Sequence, residues 1–154
     1  MGVGREWDGT LFAGTAACYR RGRLPYSPGL TDALAEVVDL DGRGRLIDLG
    51  CGPGTVTPRP AGLSDEVVGV DPDAGMLAEA AREATKAGML PEAAREAAKR
   101  EVPGKVRWVR ARAEELPAGL GDFTVATLAQ SFHWMDRDLV AATVRGMLRP
   151  RGAD

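Results

Sequence analysis

Short apolar runs alternate along the chain with longer segments in which apolar residues recur at helical spacing. The runs lie at residues 45–49, 67–70, 106–110 and 123–128 and predict four strands. Ahead of the first run, residues 31–40 predict a helix with Thr31 as its N-cap. Strands that alternate with helices are typical of an α/β fold with a parallel sheet and right-handed crossovers. Ligands of such sheets bind at the carboxyl ends of the strands.

A glycine-rich turn follows the first predicted strand. The segment Asp48-Leu49-Gly50-Cys51-Gly52-Pro53-Gly54 places glycines at alternate positions, which lets the backbone turn sharply and approach a ligand closely. Asp71 ends the second predicted strand, where a carboxylate can accept hydrogen bonds from both hydroxyls of a ribose. These two segments predict a cradle for a nucleotide-type cofactor.

A nicotinamide or flavin dinucleotide is the competing cofactor for such a turn. Its G-x-G-x-x-G pattern would place the third glycine at position 55, which is Thr55 in this chain. Asp48 also stands where a carboxylate would repel a pyrophosphate at a helix N-terminus. A carboxylate there suits a ligand that carries an ammonium or sulfonium group.

The glycine turn and Asp71 together resemble the class I S-adenosylmethionine-dependent methyltransferases, in particular the small-molecule branch called methyltransferase type 11. Further matches to the family follow in the expected order: Val70-Asp71-Pro72 with Met76-Leu77, Ala113-Glu114-Glu115-Leu116-Pro117, Ala129-Gln130-Ser131-Phe132-His133-Trp134, and Met147-Leu148-Arg149-Pro150. An ordered series of this kind is far more specific than one glycine turn.

The resemblance implies a Rossmann-like three-layer α/β sandwich with a mostly parallel sheet in strand order 3-2-1-4. It implies one S-adenosylmethionine-binding domain over residues 1–154, with N-terminal cover helices in 1–42 and the core in 43–154. The family's last three strands have no counterpart before Asp154, so we expect a C-terminally truncated chain whose fourth strand is an open edge. Such an edge invites self-association.

The resemblance also assigns residues to the two ligands. Those implied to bind S-adenosylmethionine are Asp48, Gly50, Cys51, Gly52, Gly54, Asp71, Pro72, Met76, Ala113, Glu114 and Gln130. Those implied to contact the substrate are Tyr19, Tyr26, His133 and Trp134. His133, the only histidine, is the candidate catalytic base, with Asp136 as its one candidate partner. A histidine between Phe132 and Trp134 is equally well explained as structural.

The reaction implied is attack by a substrate nucleophile on the sulfonium methyl, in which alignment of the two reactants supplies most of the catalysis. Two functions remain open from the sequence. One is methyl transfer to a small-molecule substrate. The other is an inactive, truncated methyltransferase remnant that binds the cofactor weakly or serves only as an assembly module. The missing part of the sheet separates them, because in the family it carries part of the substrate pocket.

A tandem repeat falls between the second and third predicted strands. Residues 74–86 and 87–99 are identical at 11 of 13 positions. Thirteen residues advance an α-helix by about 220° beyond whole turns, so the second copy cannot continue the buried face of the first. Gly88 and Pro91 predict two short helices, one on the sheet and one projecting from it or capping it. We interpret the repeat, 74–99, as a tolerated duplication in preference to a new interaction surface.

Two prolines interrupt the segment after the glycine turn. Proline in a helix interior removes a hydrogen bond and costs about 3 kcal/mol or more. Pro58 is acceptable in a first helical turn, whereas Pro60 is not. The sequence therefore predicts a short or irregular helix that ends by Gly62.

Composition and charge limit the partners. Apolar residues make up 44% of the chain, enough for one core, and the net charge of -2 gives no basic face for nucleic acid. Cys18 and Cys51 are too far apart for a metal-binding motif and predict free thiols without a metal. No apolar run approaches the ~20 residues that span a bilayer, and no leader peptide is recognisable, so we expect a cytoplasmic protein without a membrane partner.

Overall fold

The computed structural model describes residue 8 and residues 10–38, 40–88 and 106–149. Within them, four strands form one sheet: β1 (Arg45–Leu49), β2 (Glu66–Asp71), β3 (Val106–Arg110) and β4 (Val125–Thr127). All neighbouring strands are parallel, in the order β3-β2-β1-β4. The predicted Rossmann-like class and strand order are confirmed.

Helices cover both faces of this sheet. They are α1 (Ala16–Gly22), α2 (Leu30–Val37), α3 (Ala74–Gly88) and α4 (Arg137–Met147), with short 3₁₀ helices at Arg59–Leu63, Ala113–Glu115 and Phe132–Trp134. Helix α3 packs against β2 and β3, and α1 packs against α3. Among the helices of the described ranges, none combines the length and apolar character needed to cross a bilayer.

The two central strands are buried on both faces. One face forms a cluster with α4, made of residues that include Ile47, Leu49, Val68, Val70, Phe123, Val140 and Val144. The other face forms a smaller cluster, made of Leu40, Leu46, Ala61, Val67 and Val125. Strands covered on both faces read as near-continuous apolar runs, which is why the sequence locates β1 and β2 so closely.

The predicted range of α2 starts one residue late, and its predicted N-cap lies two residues late. Thr31 is not the N-cap, because Gly29 occupies that position and the helix begins at Leu30. The N–H of Leu30 donates to the Ser27 carbonyl at 3.0 Å, so a turn over residues 27–30 starts the helix early. The helix also ends before residue 40, since Leu40 turns into the core and is 7% exposed.

The fourth strand is shorter than the predicted 123–128. The backbone of Phe123 pairs with the chain after α4: its N–H donates to the Met147 carbonyl at 2.9 Å, and its carbonyl accepts from the Arg149 N–H at 2.8 Å. These bonds form an isolated parallel bridge between Phe123 and Leu148. Part of the outer side of the sheet is therefore paired next to β4, while self-association through this edge stays a prediction.

The segment after the glycine turn is irregular, as the prolines indicate. It contains turns and then the 3₁₀ helix Arg59–Leu63, which extends one residue beyond the predicted limit. The expectation that Pro60 cannot lie in a helix is wrong. Pro60 is buried in the first turn of this 3₁₀ helix, where a missing N–H costs no intrahelical hydrogen bond.

The first copy of the tandem repeat forms α3. This helix packs on the sheet and ends at Gly88, the predicted stop. The second copy falls outside the described residues from position 89 onward. Its predicted helix stays a prediction.

Candidate functional site

A cavity of about 560 Å³ opens at the carboxyl ends of the strands. Its wall combines the glycine turn, the end of β2 and the loop after β4 with the N-terminal segment, which here means residues 12–27. Apart from Gly54, every residue predicted to bind the cofactor lines it: Asp48, Gly50, Cys51, Gly52, Asp71, Pro72, Met76, Ala113, Glu114 and Gln130. The volume lies in the range of small-molecule sites.

Asp48 is a buried carboxylate at the end of β1, with 1% of its surface exposed. Its Oδ2 accepts from the Thr57 hydroxyl at 2.7 Å and its Oδ1 from the Thr127 hydroxyl at 2.8 Å. Burial raises the pKa of Asp48 to about 6, although these two hydrogen bonds oppose the shift. Within the described part of the chain, no basic side chain forms a salt bridge with it. A positively charged ligand group would neutralise this carboxylate.

Asp71 joins the glycine turn to the end of β2. Its Oδ2 accepts the Gly52 N–H and its Oδ1 accepts the Asp73 N–H, both at 2.9 Å. Burial raises the pKa of Asp71, and the two backbone hydrogen bonds oppose that rise. Because each carboxylate oxygen has a second lone pair, Asp71 can still accept hydroxyl donors from the cavity.

The N–H groups of the glycine turn are already used within the protein. The acceptors are the Val70 carbonyl for Gly50 and Cys51, the Asp71 carboxylate for Gly52 and the Cys51 carbonyl for Gly54. A phosphate-binding turn needs such N–H groups free for the ligand. This arrangement disfavours a pyrophosphate, in agreement with the argument from Thr55.

Gly54 and Gly52 adopt left-handed backbone conformations for different reasons. A Cβ on Gly54, whose φ is +73°, would lie 2.9 Å from both the Ala80 Cβ and the Trp108 ring. A Cβ on Gly52, whose φ is +55°, would meet nothing within 4 Å. Gly54 therefore allows α3 and β3 to pack closely against the turn, while Gly52 leaves open space beside the cavity.

Gly54→Ala should lower the free energy of unfolding by about 2–4 kcal/mol, because it combines left-handed backbone strain with overpacking. Gly52→Ala is the matched control and should cost only about 1 kcal/mol, from the strain alone. Urea unfolding of the two variants measures the difference. Equal losses of stability would contradict this account of Gly54.

Polar contacts hold the N-terminal segment over the glycine turn. The Nη1 of Arg20 donates to the Pro53 carbonyl at 3.3 Å. Its Nη2 forms a salt bridge with Glu83 of α3, with 3.3 Å between Nη2 and the carboxylate oxygen. Arg59 donates to the Ser27 carbonyl at 3.0 Å. The segment that links α1 to α2 is thereby placed at the mouth of the cavity.

Three aromatic side chains, Phe12, Tyr19 and Trp134, form an aromatic wall of the cavity. The Phe12 ring stands edge-on to Tyr19, with ring centroids 5.7 Å apart, and edge-on to Trp134, at 5.8 Å. Of the residues predicted to contact the substrate, Tyr19, Tyr26 and Trp134 all line the cavity. The wall offers an apolar surface to a bound molecule.

His133, the fourth residue predicted to contact the substrate, does not line the cavity. Its side chain is exposed, and its ring lies 5.0 Å from that of Trp134. The Asp136 carboxylate caps α4 by accepting the Leu139 N–H at 3.1 Å. This placement gives no geometric support to the catalytic role of His133, which stays a prediction. In the described ranges, no group of three or more His, Cys, Asp or Glu side chains is placed to hold a metal.

Several polar residues of the site were not predicted from the sequence. Thr57 and Thr127 hold Asp48, and Arg23 donates to the Gln130 side-chain oxygen at 2.8 Å. Gln130 adopts a left-handed backbone conformation with φ 57°, which is unusual for this residue type. No local motif marks these contacts, since each joins residues from different elements. The one available signal for Arg23 is its position between Tyr19 and Tyr26.

Comparison with known proteins identifies a family. Residues 47–153 match the family model described as a methyltransferase domain. An uncharacterized methyltransferase of Mycobacterium tuberculosis, Rv3342, is 30% identical over 141 residues, which are 92% of this chain and 49% of that protein. The probable S-adenosylmethionine-dependent methyltransferase CRG1 of Saccharomyces cerevisiae is 27% identical over 71% of this chain and 34% of its own length.

A solved structure with the same fold is the CcbJ methyltransferase from Streptomyces caelestis. It superposes with a TM-score of 0.68 at 20% identity, over 95% of this chain and 56% of that one. At this identity the likeness shows the fold alone. The chain spans about half the length of the curated bacterial relatives it matches.

Proposed function

We propose that this chain, which belongs to the class I S-adenosylmethionine-dependent methyltransferases, transfers a methyl group to a small molecule. S-adenosylmethionine is the cofactor of this domain. The observation that supports the proposal most strongly is Asp48, a buried carboxylate in the cavity wall without a cationic partner. A ligand that carries an ammonium and a sulfonium group fits such a carboxylate.

The cavity residues divide among the parts of this cofactor. Asp48 and the glycine turn would hold the methionine portion, and the Asp71 carboxylate would accept the ribose hydroxyls. The side chain of Met76 would pack on the adenine. The edge of the adenine would lie along Ala113 and Glu114, and Gln130 would lie beneath the reactive methyl. Asp48, Asp71, Met76, Ala113, Glu114, Gln130 and residues 50–53 of the turn line one cavity, which is why we propose the roles together.

When bound, S-adenosylmethionine supplies an electrophilic methyl group on a positively charged sulfur. The chain's own contribution is to bind and orient the reactants, which can account for most of the rate enhancement of such a transfer. The aromatic wall of Phe12, Tyr19 and Trp134 would exclude water beside Gln130 and support the acceptor. We assign no proton transfer to His133, because its side chain lies outside the cavity lining.

The size and cover of the cavity support a small acceptor. A volume of about 560 Å³ lies in the range of small-molecule sites. The Arg20 and Arg59 contacts also keep the N-terminal segment over the opening. The net charge of -2 does not favour a nucleic acid as the methyl acceptor.

Methyl-labelled S-adenosylmethionine tests this proposal. The protein is incubated with a bacterial cell extract that ultrafiltration has split into a low-mass and a macromolecular fraction, and Asp71→Asn serves as the control. We expect label to appear in low-mass products only with the wild-type protein. Label in the macromolecular fraction would contradict a small-molecule acceptor. Tight cofactor binding without transfer in either fraction would favour the inactive remnant.

A further inference from the structure

The side-chain amide of Gln130 has a fixed orientation in the cavity wall. Arg23 donates from Nη1 to the Gln130 Oε1 at 2.8 Å. A guanidinium can only donate hydrogen bonds, so the amide atom that faces Arg23 must be the carbonyl oxygen. The NH₂ group of the same amide is turned away from Arg23, and it has no hydrogen-bond partner among the described residues. The cavity wall therefore holds a donor that is available to a ligand.

Two features keep this pair of side chains in place. Arg23 also donates from Nη2 to the Tyr19 hydroxyl, and its central carbon lies 4.8 Å from the centroid of the Tyr19 ring. Gln130 has a left-handed backbone with φ 57°, a conformation that persists where the surrounding structure requires it. The NH₂ donor is therefore pre-oriented in the wall.

This donor discriminates between two kinds of nucleophile. In the proposed reaction Gln130 lies beneath the reactive methyl, so its NH₂ group meets the atom that attacks the methyl. A neutral amine nitrogen has one lone pair, which must point at the methyl carbon during the attack. An oxygen nucleophile has a further lone pair, which can accept from Gln130 while the first one attacks. The orientation of the amide therefore favours an oxygen acceptor.

The carboxylates that the structure places in the cavity lining already have other roles. Asp48 and Asp71 would hold the cofactor, and Asp73 and Glu114 each accept a backbone N–H at 2.9 Å. Burial raises the pKa of the Cys51 thiol, which keeps it protonated at neutral pH. Within the described lining, no side chain is left to act as a general base. An acceptor that is already ionised at neutral pH needs no such base.

An apolar surface extends from this donor to the opening of the cavity. Tyr19, which Arg23 joins to Gln130, belongs to the aromatic wall together with Phe12 and Trp134. Leu24 also lines the cavity, and its side chain is 92% exposed. Removing apolar surface of this kind from water is favourable, so an apolar ligand that covers it gains affinity. The lining therefore fits an oxygen anion that is attached to an apolar body.

We propose that the methyl acceptor is an apolar carboxylic acid, whose carboxylate is positioned by the Gln130 NH₂ group and is converted to a methyl ester. The inference rests on the proposed function, since it names the acceptor of that same site. The carboxylate oxygen forms a bond to the methyl carbon, the carbon–sulfur bond breaks, and its electron pair stays on the sulfur of S-adenosylhomocysteine. No proton is released, because carboxylic acids are ionised at neutral pH. A phenolate is the other source of an oxygen anion, and the test separates the two.

The stability of the methylated product in base tests the proposal. The wild-type protein is incubated with methyl-labelled S-adenosylmethionine and the low-mass fraction of a bacterial cell extract, and the mixture is then treated with mild base, with a mixture without protein as the blank. A methyl ester is hydrolysed and releases its label as volatile methanol, whereas methyl ethers and N-methyl groups keep theirs. We expect most of the label in low-mass products to become volatile. Label that stays non-volatile would overturn the proposal and leave the proposed function intact.

Gln130→Glu tests the role of the amide, because it is isosteric and reverses one hydrogen bond. The new carboxylate can still accept from Arg23, but it presents an oxygen where the NH₂ group was. Ester formation should slow about 10- to 100-fold, the size expected for a lost hydrogen bond to a charged group. The affinity for S-adenosylhomocysteine, measured by calorimetry, should stay within about threefold, since this ligand lacks the methyl that Gln130 faces.

Arg21→Gln is the matched control. Arg21 lies on α1 outside the cavity lining and donates to the Ala17 carbonyl, so its substitution should keep the wild-type rate. Circular dichroism and thermal unfolding establish that each variant is folded.

Two results with Gln130→Glu would overturn the proposal. An unchanged or higher rate would indicate an acceptor that must lose a proton, for which the new carboxylate serves as a base. Loss of S-adenosylhomocysteine binding by the folded variant would show that Gln130 acts on the cofactor instead. If the wild-type protein forms neither volatile nor non-volatile labelled product, the proposed function itself fails, and that result is distinct from a base-stable product.

Discussion

Replacing Asp71 by Asn should weaken S-adenosylhomocysteine binding by about 100-fold or more. Two hydrogen bonds from ribose hydroxyls to a carboxylate contribute about 1.5–3 kcal/mol each, and the amide of Asn cannot accept through both of its heavy atoms. The substitution also places an NH₂ group against the N–H of Gly52 or Asp73, which loosens the glycine turn. Isothermal titration calorimetry measures the loss.

Asp65→Asn is the control for this experiment. Asp65 is exposed, lies just before β2 at the opposite end of the strand, and accepts the Gly44 N–H at 2.7 Å. Its substitution should leave the affinity within about twofold, since it touches no part of the cavity lining. Asp71→Asn with unchanged affinity would refute the ribose role of Asp71.

The second large effect concerns Asp48 and pH. Because burial raises the pKa of Asp48 to about 6, the carboxyl is protonated below that pH and ionised above it. A ligand ammonium binds the ionised form, so affinity should rise about tenfold between pH 5 and pH 7 and then level off. Asp48→Asn should bind about 100-fold more weakly at pH 7.5 and lose this pH dependence.

The Asp48→Asn variant keeps Asp71, whose pKa is also raised by burial. Any change of ligand affinity with pH that remains in this variant therefore comes from Asp71 or another group. Calorimetric titrations of both proteins from pH 5 to pH 8 make the comparison. A flat profile in the wild-type protein would contradict the pairing of Asp48 with a ligand cation.

The free energy of unfolding should fall as pH rises, whereas the ligand affinity rises. A carboxyl whose folded pKa is raised from 3.8 to about 6 binds more protons in the folded state, so the free energy of unfolding falls as pH rises through that window. The loss amounts to about 3 kcal/mol above pH 6 in the free protein. Asp48→Asn removes this penalty, and urea unfolding at pH 7.5 should find it at least as stable as the wild-type protein.

The apolar runs predicted the sheet because the strands are defined by burial. Leu49, Val68 and Val70 have no exposed surface, and no polar residue except Asp48 interrupts β1 after its first position. Parallel pairing then brings the glycine turn and Asp71 together, since both end neighbouring strands. The core of the site was therefore accessible from the sequence pattern and the family resemblance.

Element ends were less predictable, because they depend on contacts that local sequence does not contain. The start of α2 follows from a turn at Ser27, and the early residues of the predicted fourth strand bond to the chain after α4. Pro60 was excluded from a helix on the assumption of α geometry, whereas a 3₁₀ first turn accepts it. Each error comes from tertiary or turn geometry overriding a local preference.

Part of the candidate site was not predicted either, because its contacts also join residues that are far apart in the sequence. Thr127 reaches Asp48 from β4, and Arg23 reaches Gln130 from the opposite end of the described chain. Such pairs have no spacing that a motif could capture. The candidate base, His133, lies within a family motif, yet its side chain is exposed and is not part of the cavity lining, so its role stays a prediction.

A titration with S-adenosylhomocysteine tests whether this chain forms a working cofactor cradle. We expect the wild-type protein to bind one equivalent of the ligand with micromolar affinity. Ligand at about 100 times that dissociation constant should then stabilise the fold by about 2.7 kcal/mol. A sample that unfolds cooperatively, yet shows neither binding heat nor stabilisation by the ligand, would show that the folded chain does not bind the cofactor.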